Sequence, residues 1–135
     1  MRASKLILGA ALFFLLLPAG AYAADDGQTQ PRLSYTDVTG TNTVDLVSTT
    51  NGSGNIKGIH CYSPDWGYAP TITVKITVNG GTVQNLTVDF AYFPGYNSGF
   101  IPMNVRFSSS IRIQIQGGFT WSGHSGGCVA SWALD

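Results

Sequence analysis

The stretch ITVKITVNGG, Ile72 to Gly81, decides the fold. Ile72, Val74, Ile76 and Val78 alternate with Thr73, Lys75 and Thr77. Successive side chains of a strand point to opposite faces, so a period of two makes one dry face and one wet face. Asn79 and Gly80 follow at once. Both tolerate positive φ, and an Asn-Gly pair between alternating runs is the strongest short-range hairpin signal. The returning run, Val83 to Phe90, places Leu86, Val88 and Phe90 inward.

The same period extends in both directions. Leu33 to Val38, Thr43 to Ser48 and Asn55 to Tyr62 read as three earlier strands, separated by turn-forming runs at 39–42 and 51–54. After a Gly/Pro/Tyr-rich loop over 91–98, Gly99 to Phe107 sets Ile101, Met103, Val105 and Phe107 on one face. Ile111 to Gln116 alternates again. A glycine-rich loop from Gly117 to Gly127 leads to a last strand, Cys128 to Leu134, with Cys128, Ala130, Trp132 and Leu134 on one face. No stretch keeps a helical period. One wet face per strand means antiparallel sheets packed face to face. The expectation is an all-β, antiparallel two-sheet sandwich of about eight strands, jelly-roll-like.

The first 23 residues have a different character. Arg2 and Lys5 precede the apolar run Leu6 to Leu17, Pro18 and Gly20 break it, and Ala21-Tyr22-Ala23 is a small-x-small cleavage pattern. This predicts a secretory signal peptide over 1–23, too short to be a comfortable membrane span. Residues 24–31, ADDGQTQP, are expected to form a disordered arm, and 32–135 a β-sandwich domain. The predicted location is secreted: extracellular, cell-surface or periplasmic. Cys61 and Cys128, an even pair in an oxidising compartment, are expected to form one disulfide.

Past Ala23, five Lys and Arg stand against seven Asp, with no Glu. That balance gives no basic footprint for nucleic acid. Gly123-His124-Ser125-Gly126-Gly127 fits the serine-hydrolase pattern G-x-S-x-G. That chemistry needs a helix after the serine, and a strand is expected here. His60, Cys61, His124 and Cys128 could be written as a zinc set. His60 and Cys61 are adjacent on a strand and should face opposite ways. No metal and no cofactor is therefore assigned, although the disulfide could carry His60 and His124 to one end of the sandwich. Asp65 alone is a loop carboxylate well inside the domain, and paired-carboxylate catalysis needs two. No catalytic residue is assigned, and the chain is expected not to be an enzyme.

Aromatics cluster in the loops. Trp66 and Tyr68 lie in SPDWGYAP, Tyr92, Phe93 and Tyr96 in AYFPGYNSG, and Phe119 and Trp121 in GGFTWSGHSGG. Such rings either plug the ends of the sandwich or recognise sugars and protein surfaces. Trp66, Tyr68, Tyr92, Phe93, Tyr96, Trp121 and His124 form the candidate binding set. The first functional expectation is a non-enzymatic binding module for glycan or a surface receptor. The alternative is a self-associating structural subunit of an extracellular or cell-surface assembly. A small secreted hydrolase or hydrolase inhibitor is third.

Four segments, GSGNIKGI (52–59), ITVKITVNGG (72–81), GFIPMNVRFSSSIRIQIQG (99–117) and ASWALD (130–135), resemble small jelly-roll modules of bacteriophage tail and surface-appendage proteins. The resemblance covers about two fifths of the chain after Ala23. It implies a jelly-roll fold and a role in attachment or assembly, and it carries over no site residue. The signal peptide and the cysteine pair depart from that pattern.

Overall fold

A computed structural model describes residues 31–64, 70–92, 97–120 and 123–135. The predicted signal peptide and all of the predicted arm except Pro31 lie outside them. Eight strands follow one another: β1 Arg32–Thr39, β2 Thr43–Thr49, β3 Gly54–Tyr62, β4 Thr71–Val78, β5 Gln84–Asp89, β6 Asn97–Phe107, β7 Ile111–Gly117 and β8 Ser125–Leu134. A 3-10 turn, Phe90–Tyr92, follows β5.

The strands form two four-stranded sheets, ordered β1-β8-β3-β6 and β2-β7-β4-β5. The order has a simple origin. The chain is one long antiparallel ribbon in which β1 pairs β8, β2 pairs β7, β3 pairs β6 and β4 pairs β5. Rolling that ribbon closes two new seams, β3 on β8 and β4 on β7. This is the jelly roll, with all six pairings antiparallel.

The tip of the ribbon is the turn marked by Asn79-Gly80. Asn79 has φ 53° and Gly80 φ 70°, and the Gly81 N–H donates to the Val78 carbonyl at 2.9 Å. Asn79 also has a second task. Its Oδ1 accepts the backbone N–H groups of Ser108, Ser109 and Ser110 at 2.9, 2.8 and 3.2 Å. The β4–β5 turn is thereby tied to the β6–β7 turn.

The core lies between the inward faces. Ile72 and Val74 of β4 and Ile111, Ile113 and Ile115 of β7 meet Ile56, Ile59 and Cys61 of β3 and Cys128, Ala130 and Trp132 of β8. All are buried. Each fully buried isoleucine stabilises the fold by roughly 1.5–3 kcal/mol relative to an exposed one. Trp132 Nε1 donates to Ser34 Oγ at 2.9 Å, so its one polar group has a partner. In β2 the register slips between Asp45 and Val47. The extra residue lets Leu46 and Val47 both turn inward.

Cys61 and Cys128 form the expected disulfide. One expectation needs correction. The loop over 117–127 is shorter than its glycine content suggests, because Gly117 belongs to β7 and Ser125, Gly126 and Gly127 belong to β8. Those glycines serve close packing. A Cβ on Gly126 would lie 2.7 Å from the Tyr62 carbonyl and 2.8 Å from Phe119 Cζ. Phe119, a loop aromatic outside the candidate binding set, is fully buried across these glycines and packs the sandwich.

Candidate functional site: the outer face of the first sheet

The strand parity that sends Val38, Cys61, Ile101 and Cys128 inward sends their neighbours outward. Cross-strand register then assembles them into rows on the outer face of the β1-β8-β3-β6 sheet. One row runs Tyr35, Val129, His60, Phe100. The next runs Leu33, Ser131, Gly58, Pro102, and a third Asp37, Gly127, Tyr62, Asn97. Leu33 is 76% exposed, Tyr35 56% and Phe100 57%. Leu33 and Tyr35 stand at one edge of this face and Phe100 at the other, and exposed large apolar side chains make the face a candidate for contact with another surface.

Two glycines shape this face. Gly58 leaves room for the Phe100 ring, whose Cε1 would stand 2.6 Å from a Cβ placed there. Gly127 opens the way between Tyr62 and Asp37. A Cβ on it would lie 2.6 Å from Asp37 Oδ1 and 2.9 Å from the Tyr62 hydroxyl. The Tyr62 phenol crosses that gap and donates to Asp37 Oδ1 at 2.9 Å. Tyr35 donates to the same oxygen at 2.7 Å. The two phenol oxygens touch, and the rings are nearly parallel, 5° apart, with centroids 6.3 Å apart. Burial raises the Tyr62 phenol above its ordinary range, and the hydrogen bonds to Tyr35 and Asp37 and the Asp37 charge push the same way. At the far side His60 Nε2 bonds Asn97 Oδ1 at 2.6 Å, and the Gly99 N–H donates to that oxygen too.

The loop set expected from sequence fares unevenly. Trp66, Tyr68, Phe93, Tyr96 and Trp121 lie outside the described residues. Tyr92 stands 82% exposed after β5. His124 is half-buried beside the β1–β2 turn, where its carbonyl accepts the Gly40 N–H at 3.0 Å. His60 and His124 are not brought together. His60 pairs with Val129, five positions along β8 from His124, which is on the order of 15 Å at the rise of a strand. Among the described residues there is no cluster of three or more His, Cys, Asp or Glu side chains suited to a metal. Ser125 of the G-x-S-x-G pattern begins β8, and a strand follows it.

Sequence reasoning missed the outer-face aromatics because it looked for recognition in loops. The signal was present in the parity. Tyr62 follows the inward Cys61, and Phe100 precedes the inward Ile101, so both had to face water. Among the described residues no helix is long and apolar enough to cross a membrane. An open depression at the other sheet is lined by Ser48, Thr49, Thr77, Ser110, Ile111 and Arg112 among others and holds no aromatic ring.

No protein-family model and no curated protein matches the chain. Solved structures do. A chain in the acid-stable capsid structure of the Helicobacter pylori bacteriophage KHP30 is 11% identical, with a TM-score of 0.59. The match covers 80% of this chain and 90% of that one, so the two are similar in length. A chain in the structure of infectious bursal disease virus, Gt strain, is 16% identical with a TM-score of 0.40. It matches 87% of this chain, which spans only 37% of that longer one. The likeness to the KHP30 capsid chain is one of fold alone.

Proposed function

We propose that this protein is an exported, non-enzymatic structural subunit that works in many copies at or outside the cell surface. The observation that carries this reading is the outer face of the first sheet, where Leu33, Tyr35 and Phe100 are displayed on a rigid scaffold. Rigid strands present such side chains without the entropy cost of ordering a loop, which suits a permanent contact. The likeness to a capsid chain of similar length supports assembly as the use of the fold. The disulfide supports export, because such bonds persist in oxidising compartments. The predicted signal peptide points the same way.

The test is light scattering on the purified oxidised protein across a concentration series, followed by electron microscopy. Growth into defined oligomers supports the assembly role. A monomer at every concentration overturns it.

A second reading rests on Tyr35 and Tyr62 beside Asp37, His60 and Asn97. Flat rings flanked by hydrogen-bonding groups also suit sugar recognition. In that case a glycan array finds a ligand, and Tyr35→Ala loses it while the protein stays monomeric.

A further inference from the structure

A sandwich has four edge strands, and three of those in this protein are blunted. β2 carries the bulge at Leu46. β6 contains Pro102, which has no N–H, and Asn104 at φ 55°. β5 is the shortest, at six residues, and exposes only Gln84, Asn85 and Thr87. Bulges, prolines, short length and polar side chains are the devices that stop edges from pairing. β1 has no bulge and no proline within it, although it too exposes polar side chains at Arg32, Asp37 and Thr39. It runs eight residues in unbroken register with β8 and exposes Leu33 and Tyr35.

The direction of its free hydrogen-bonding groups follows from the disulfide. Cys61 and Cys128 are directly opposed with Cα atoms 4.1 Å apart. That is the close spacing of a non-hydrogen-bonded antiparallel pair. The Cys61 N–H, which donates instead to Ser98 Oγ on β6 at 2.9 Å, agrees. Cys128 therefore turns its N–H and carbonyl toward β1, where its partner is Thr36. By alternation Leu33, Tyr35 and Asp37 turn theirs to the open edge. Among the described strands β1 has β8 as its one neighbour, so these groups face away from the ladder.

We propose that β1 is a self-pairing edge, which joins two copies of this chain through an antiparallel β1–β1 ladder and makes one continuous eight-stranded sheet. The inference rests on the assembly reading and names its contact. Identical strands paired antiparallel are related by a two-fold axis, so one edge satisfies itself and the interface closes. A two-fold perpendicular to the sheet keeps outer faces together. Leu33 and Tyr35 of both copies then gather on one side, continuous with each Tyr62. Charge allows the approach. Past Ala23, five Lys and Arg stand against seven Asp, a small net charge that opposes the meeting of two copies only weakly.

The test is sedimentation of the oxidised protein over a concentration series, with amide hydrogen exchange on the same samples. The wild type is expected to associate, and the amides of Leu33, Tyr35 and Asp37 to slow as it does. The double variant Leu33→Lys, Tyr35→Lys places like charges across the proposed ladder and should weaken association about tenfold or more. Val83→Lys, at an exposed position between β4 and β5 of the other sheet, should leave association unchanged. Melting curves show whether each variant folds. An associating wild type whose edge amides stay unprotected, or a folded double variant that associates normally, overturns the β1 contact and leaves the assembly reading standing. A wild type that never associates overturns both.

Discussion

Cys61 and Cys128 face each other across the β3–β8 ladder, with Cα atoms 4.1 Å apart. That ladder is one of the two seams made when the ribbon rolls up, and not one of the four pairings within the ribbon. The disulfide therefore locks the rolled state rather than the hairpin. It closes a sequence separation of 67 residues, and the chain-entropy model assigns about 4 kcal/mol to a loop of that size. Replacing both cysteines by alanine should lower the urea-unfolding free energy by about that amount. A loss under about 1 kcal/mol would show that the seam holds without the bond.

Phe119 and Tyr92 belong to the same class of loop aromatics by sequence, yet one is buried and the other open. Phe119→Ala should cost about 3–5 kcal/mol, because it leaves a cavity over Gly117 and Gly126. Tyr92→Ala should stay within about 0.5 kcal/mol. Equal effects in thermal or urea melts would contradict the burial assigned to Phe119.

Gly126 packs against the backbone of β3. Gly126→Ala would place its Cβ 2.7 Å from the Tyr62 carbonyl, and relieving that overlap should cost about 1–3 kcal/mol. Gly40→Ala is the comparison. Gly40 has φ 59° with open space around it, so that variant meets only left-handed backbone strain of about 1–2 kcal/mol. Hydrogen exchange separates the two, since only Gly126→Ala should loosen the β3–β8 amides.

The raised Tyr62 phenol makes a pH prediction. A group whose folded pKa lies above its unfolded value favours folding in its protonated form. Its contribution is complete below the unfolded value of about 10 and fades as pH rises through and beyond it. Stability should fall above that pH, and Tyr62→Phe should flatten the fall. An unchanged alkaline limb in the variant would place the sensitive group elsewhere.

Local pattern made much of this fold legible. The alternation at Ile72 to Val78 predicted β4, and its Asn-Gly ending predicted the turn. The same period found the other strands, although β6 starts at Asn97 and β8 at Ser125, earlier than the glycines suggested. Glycine reads as a loop in sequence because it lacks a side chain. In β8 that lack is what lets the Phe119 ring and the β3 backbone close over Gly126. Parity likewise marked Tyr62 and Phe100 as outward but could not say which neighbours they would meet.

The sequence by itself determined the strands, their wet and dry faces and the one available disulfide, because a period of two and a cysteine pair are local or countable properties. Only the tertiary structure decided that Tyr35 and Tyr62, 27 positions apart, share the Asp37 carboxylate across a glycine, and that among the described strands β1 stands at an edge of its sheet. Both depend on which strands become neighbours when the ribbon rolls. That choice is made by the joint burial of side chains distant in the chain, which no single segment encodes.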